Sequence, residues 1–384
     1  MKSPSPPSKS GSSSHRAQLA ELADAGRMRS LSPRSGVDFS SNDYLGLANS
    51  PRLREAVLDA LLSGVAIGSG GSRLLRGNDP EHERLEAEAA AFFGAESALY
   101  MSSGFAANEA LFATLPQRGD LVVHDALIHA SAHEGLRCGR AERAAARHND
   151  VDAFADAIRQ WRKGGGTGRA WIAVESLYSM DGDRAPLDEL AALADENDAF
   201  LIVDEAHAVG VFGPEGRGLA AHLDGRENVI ALRTCGKALG VEGGLLCLPR
   251  VFRDFLVNRG RGFIFSTAPS PLMARAVGEA LRILADEPER REALQARVRL
   301  AEEVLGEAGV PASGSQIIPV ILGEDARAMR VAEALQRAGY DVRGIRPPTV
   351  PAGTSRLRIS VTLNVSEADI RSLGEALQAA MREA

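Results

Sequence analysis

The sequence is almost without lysine. Of its 44 basic residues only four are lysines: Lys2, Lys9, Lys163 and Lys237. A bias toward arginine accounts for the scarcity but not for which lysines remain. Lys2 and Lys9 fall in a polar N-terminal stretch and Lys163 in the loop "RKGGGTG", all ordinary solvated settings. Lys237 stands in "TCGKALGVEGG", among glycines and small apolar residues, with Glu242 the one acidic residue of the stretch. Cysteine is scarce as well. Cys138, Cys235 and Cys247 have neither metal-ligand spacing nor an even count, so reduced thiols and no metal are expected. No apolar run reaches the length of a membrane span, and the N-terminus lacks a signal-peptide core, so a cytoplasmic protein is expected. Positive charge is not in excess either: the net charge of -7 gives no footprint for nucleic acid or an anionic membrane. Small-molecule partners fit better.

What is present is the make-up of a globular protein, 45% hydrophobic and 25% charged, long enough for a large domain and a smaller one. Ser- and Pro-rich residues 1–15 read as a disordered tail. Residues 16–50 read as an N-terminal segment in which a short helical pattern leads to the strand and turn of "VDFSSNDYLGL". Residues 51–270 form the expected large domain, and from Gly104 on helices alternate there with "DLVVHD", "AWIAVES", "FLIVDEA", "VIALRT" and "GLLCLP". That alternation predicts an α/β fold, a mostly parallel sheet covered by helices. Residues 271–384 form the expected small α+β domain. It holds a long amphipathic helix, the strands "IIPVIL" and "RLRISVTL", and a closing helix capped by Ser366 with Asp369 three residues on.

In such sheets the ligand lies beyond the carboxyl ends of the strands. Asp204 closes a buried strand there and needs a positive partner or a donor. "DEAH" also spells a helicase motif, but no phosphate loop accompanies it: position 231 is Ala where the first glycine is required, and Ala238 follows Lys237. "GVFGPEGRG" does not give GxGxxG and reads as a flexible loop. A desolvated lysine has a lowered pKa, and its neutral amine can form a Schiff base with an aldehyde. If that aldehyde is pyridoxal phosphate, a carboxylate is needed at the ring nitrogen, donors at the phosphate and a group over the ring. Asp204, the backbone of "SSGFAAN" and His129 suit these needs. Singly each has an ordinary structural use. Together, at the ends of successive strands, they favour the cofactor.

"DEAHAVGVFGPEGRG" followed by "TCGKALGVEGG" resembles the signature of the α-oxoamine synthases, fold-type I pyridoxal phosphate enzymes. The resemblance extends through "SSNDYLGLANSPRL", "GSGGSRLLRGN", "SMDGDRAPL" and "FSTAPSP" to the C-terminal domain. It implies that Lys237 holds the cofactor and acts as acid and base, that Asp204 pairs with the pyridine nitrogen, and that His207 and Ser179 meet the phenolic oxygen. It implies that His129 stacks on the ring, with Gly104, Phe105 and Thr234 at the phosphate. Ser266 and Thr267 match a segment that reaches the neighbouring subunit's cofactor, which implies a homodimer with shared active sites. Arg358 matches the arginine that binds the amino-acid carboxylate, with Asn42 assisting, Thr349 a substrate contact and Arg27 at the acyl-donor entrance. Within the family, "IRPPTVPAGTSRLRIS" resembles members of the biotin pathway that condense L-alanine with a pimeloyl thioester, of CoA or of an acyl carrier protein. The glycine-using members, 5-aminolevulinate synthase and 2-amino-3-ketobutyrate CoA ligase, differ there. An aminotransferase would share the lysine. Cys235 reads as a packing residue.

Overall fold

The computed structural model describes residues 12–384. Its strands are β1 (Val37–Asp38), β2 (Ser97–Met101), β3 (Leu121–Asp125), β4 (Glu142–Ala146), β5 (Ala170–Glu175) and β6 (Phe200–Asp204), followed by β7 (Val229–Thr234), β8 (Gly244–Leu248), β9 (Ile317–Gly323), β10 (Tyr340–Asp341), β11 (Arg343–Ile345) and β12 (Ser355–Ser360). Seven of them make one sheet in the order β2-β8-β7-β6-β5-β3-β4, in which only β8 runs against its neighbours. The apolar runs expected as strands are these strands. Every residue of β2, β3, β5, β7 and β8 is buried, as a sheet covered on both faces requires. β4, "ERAAA", carried no such signal because it is an edge strand and largely exposed.

The parallel strands set the site. β2, β3, β5, β6 and β7 each end a few residues before Gly104, His129, Ser179, His207 and Lys237 respectively. Glu175 and Asp204 lie side by side at the ends of β5 and β6.

The second sheet is antiparallel, β11-β12-β9, so β12 is central in it. β1 pairs with β10, and the chain beyond β1 follows β12: Ser360 donates its N–H to the Phe39 carbonyl (2.9 Å) and Leu363 to that of Tyr44 (2.9 Å). The N-terminal segment thus extends the small sheet. Pro288–Gly306 packs on Glu367–Glu383, burying Leu294, Val298, Ala301 and Leu305 as the periodicity predicts. The preceding helix, Pro271–Asp286, was expected to open the small domain. It packs on Pro51–Leu62 and Pro80–Phe93, and the second of these lies on β2 and β8.

Two further expectations change. A helix spans Ser13–Asp24, so it begins inside the stretch read as a tail; residues 1–11 of that stretch lie outside the described residues. "GVFGPEGRG" is a packed turn, not a flexible loop. Gly218 has φ +111°, and a Cβ there would fall 1.5 Å from Glu205 Oε2, so a side chain has no room. Among the described residues no helix is long and apolar enough to cross a membrane.

The cap of the last helix is present in both directions: Ser366 Oγ accepts from Asp369 N–H and the Asp369 carboxylate from Ser366 N–H. Ser366→Ala is expected to cost about 1 kcal/mol of stability. A lower urea midpoint with an unchanged slope checks it.

Candidate active site

Lys237 follows β7 in a tight turn, its carbonyl accepting from Gly240 N–H at 2.9 Å. The side chain is half-buried and makes no hydrogen bond or ion pair among the described residues. Burial lowers its pKa, against the attraction of Asp204. The isolated amine expected from the sequence is there.

Asp204 is fixed from two sides. Its Oδ1 accepts from Ala206 N–H (2.9 Å) and its Oδ2 from Asn108 Nδ2 (2.7 Å). Asn108 gives its second amide proton to Ser131 Oγ (2.9 Å), and Ser131 Oγ lies 2.8 Å from His129 Nδ1. Because that hydroxyl accepts from Asn108, its own proton goes to Nδ1. The His129 Nδ1 also accepts from Ser131 N–H, so the proton of the neutral ring resides on Nε2. Burial and Lys237 keep the ring's pKa low, while Asp204 opposes. One polar chain thus runs from the carboxylate to the histidine.

His207 is buried, and its Nδ1 is 2.6 Å from the Tyr44 hydroxyl. Burial, then the charges of Lys237 and Arg358, hold its pKa well below that of a free imidazole. Arg358, on the central strand β12, is also buried. Its Nε donates to the Ser179 carbonyl (2.6 Å), Nη1 to Ser360 Oγ (2.6 Å), and Nη2 to Asn42 Oδ1 (3.0 Å) and the Tyr44 hydroxyl (3.3 Å). No carboxylate is among these partners. Arg356, two residues away, does have one in Asp181. A buried guanidinium satisfied by neutral acceptors keeps its full charge for an anion that enters.

Gly104 starts the helix Gly104–Thr114, where Ser103 Oγ takes the Ala106 N–H. The N–H groups of Gly104 and Phe105 have no acceptor among the described residues, the standard condition of a helix N-terminus that binds an anion. Thr234 closes the other side: a Cβ on Gly104 would sit 3.1 Å from Thr234 Oγ1. Thr349 joins His129 and Ser179 in lining a cavity of about 520 Å³. Cys235 is buried and its thiol is pushed up by burial, as suits a packing residue.

Three expected site residues are not drawn in. Ser266 and Thr267 are exposed on the surface. Arg27 lines an outer cavity of about 630 Å³ and is paired with Asp325 at 3.0 Å. Conversely, sequence reasoning missed Tyr44, which joins His207 to Arg358, although it stands two residues after Asn42 in a quoted motif. It also missed Glu175, whose carboxyl is held well above the usual range by burial and by Asp204 beside it.

His148 was missed too. Its Nδ1 lies 2.9 Å from Asp125 and its Nε2 2.7 Å from Asp183, tying the loop before His129 to the turn that carries Ser179. Burial works against its charge, but the bonds to these two carboxylates lift the imidazole to about 10. A raised folded-state pKa stabilises fully below the unfolded value of about 6.5, and the gain is lost as pH rises through the folded one. His148→Asn is therefore expected to lower the melting temperature most at pH 6 and scarcely at pH 10.5. Thermal melts of both proteins across that range check it.

The family profile "Aminotransferase class I and II" matches residues 34–377. An 8-amino-7-oxononanoate synthase of Anaeromyxobacter dehalogenans is 42% identical over 381 residues, covering 95% of this chain and 94% of that protein. Among solved structures, serine palmitoyltransferase from S. paucimobilis with a bound PLP-myriocin aldimine superposes with a TM-score of 0.87 at 28% identity, covering 97% of this chain and 98% of its own. An 8-amino-7-oxononanoate synthase from Francisella tularensis gives 0.77 at 27%, covering 91% and 98%. The chain belongs to the class I and II aminotransferase family and, within it, is a pyridoxal phosphate-dependent acyltransferase of the α-oxoamine synthase group.

Proposed function

We propose that this chain condenses L-alanine with a pimeloyl thioester, of CoA or of an acyl carrier protein, giving 8-amino-7-oxononanoate, CO2 and the free thiol, a step of biotin biosynthesis. The observation that carries an amino-acid substrate is Arg358, a buried guanidinium without a carboxylate partner. The similarity to relatives named 8-amino-7-oxononanoate synthase supports the choice of alanine and the pimeloyl group.

The residues fit pyridoxal phosphate. Lys237 would hold its aldehyde carbon, the unpaired N–H groups of Gly104 and Phe105 with Thr234 would take the phosphate, and Asp204 the ring nitrogen. His129 would cover the ring, with His207 and Ser179 near the phenolic oxygen. Ser266 and Thr267, exposed on one protomer, would reach the phosphate site of its partner in a homodimer. When bound, the cofactor supplies an electron-poor ring that takes up the electron pair left as a bond at the amino acid's α-carbon breaks.

The chain's own residues supply the rest. Arg358 grips the alanine carboxylate with its planar fork, and Asn42 and Tyr44 keep the fork oriented. The lowered pKa of Lys237 gives it a neutral fraction that removes the α-proton. The α-carbon then bonds to the thioester carbonyl, whose oxygen receives a hydrogen bond from His129 Nε2–H. The C–S bond breaks and the sulfur leaves as thiolate, which takes a proton from solvent to give the free thiol. The carboxylate departs as CO2, and Lys237 returns its proton to the α-carbon. His207 stays neutral throughout, so it adds no positive charge beside Arg358.

Arg358→Leu is expected to raise the KM for L-alanine on the order of 100-fold, the effect of losing a desolvated charge-assisted pair. Thiol release from pimeloyl-CoA at varied alanine reads it directly, and an unchanged KM sinks the assignment. Lys237→Ala is expected to abolish the visible absorbance that the wild type gains with pyridoxal phosphate. Turnover with glycine but none with L-alanine would assign the chain to a glycine-using member instead.

A further inference from the structure

The cavity at His129 and Ser179 adjoins the outer one: both are lined by Arg29, Pro348 and Thr349. At about 520 Å³ the inner cavity is in the range of small-ligand pockets. Its walls are largely apolar, with Leu127, Met180 and Val350 among them, so an alkyl chain is accommodated. A wholly aliphatic ligand would not, however, account for its cationic and polar members.

Three arginines stand along the outer cavity and its junction with the inner one, and two of them are engaged. Arg27 is paired with Asp325 (3.0 Å), and Arg346 donates to the Gly26 carbonyl. Arg29, the one common to both cavities, makes no hydrogen bond or ion pair among the described residues. On the inner wall His133 stands one helical turn beyond His129. Its ring meets that of His124 edge-on at 5.0 Å, and its nitrogens have no hydrogen-bond partner among the described residues. The acidic wall residue, Asp181, is already neutralised by Arg356. The wall groups without a partner among the described residues are therefore one exposed guanidinium at the mouth and one half-buried imidazole within, the complement of a carboxylate at the end of a carbon chain.

We infer that Arg29 and His133 read the distal carboxylate of a dicarboxylic acyl group, so that the inner cavity selects a pimeloyl chain over a monocarboxylic chain of equal length. The inference rests on the acyl-transfer reading above and assigns within it a specificity that Arg27, engaged with Asp325, does not supply. Arg29 gives the charge, and His133 gives a hydrogen bond from a ring held in place by His124.

The test uses the pyridoxal phosphate-loaded enzyme with L-alanine and two donors of matched length, pimeloyl-CoA and heptanoyl-CoA, reading kcat/KM by thiol release. Wild type is expected to prefer the dicarboxylic donor by about tenfold, the effect of a charge-assisted pair with a cation that has no other protein partner. Arg29→Gln is expected to lower the pimeloyl value about tenfold while leaving heptanoyl within about twofold. Arg29→Lys restores part of the loss, since it returns charge without the fork. His133→Phe, which keeps a ring against His124, lowers the preference roughly threefold. Equal losses on both donors, or a wild type indifferent between them, overturn the assignment and leave the acyl-transfer reading standing. A wild type that condenses alanine with neither donor sinks that reading and this one together.

Discussion

The site depends on how Arg358 is held. Removing a guanidinium from water is costly, and here the cost is offset by four neutral acceptors supplied from three parts of the chain: Asn42 and Tyr44 from the N-terminal segment, the Ser179 carbonyl from the large sheet's loops, and Ser360 from the arginine's own strand. Because none is anionic, the charge is positioned without being cancelled. The same contacts close the small domain onto the large one.

Around it, neighbouring groups are driven into different protonation states. Asp204 is satisfied by two donors, while Glu175, next to it in the sheet, is pushed toward its neutral form by burial and by that same charge. Lys237 and His207 are both lowered, with burial the first cause in each. A sheet that ends five parallel strands at one place brings these groups within each other's fields, and low polarity makes the fields effective. The acid and base properties belong to the cluster more than to any one side chain.

Much of this was legible in the sequence. The central strands were, because burial on both faces leaves uninterrupted apolar runs. β4 was not, because an edge strand need not be apolar. Lys237 and Asp204 stood out because each was chemically misplaced in its local setting. Tyr44 and Glu175 did not, since a tyrosine in a turn or a glutamate at a strand end is unremarkable until the chain brings its partner near. The helix Pro271–Asp286 has the ordinary amphipathic pattern, and nothing in such a pattern says which helices it will pack on. Arg27 lines the outer cavity, but its pairing with Asp325, 298 residues away, has no sequence signal.

The short pairing of β1 with β10 and the bonds from Ser360 and Leu363 back to Phe39 and Tyr44 join opposite ends of the chain. Asn42 and Arg358 are 316 residues apart in sequence. During synthesis, which proceeds from the N-terminus, the large sheet can assemble while residues 37–44 still wait for a strand not yet made. A ribosome-bound or truncated chain ending before β12 therefore holds Lys237 and Asp204 but lacks Arg358 and its partner Ser360. On the proposed reading the substrate site is completed only once β12 has been made, whatever the order in which the rest of the fold condenses.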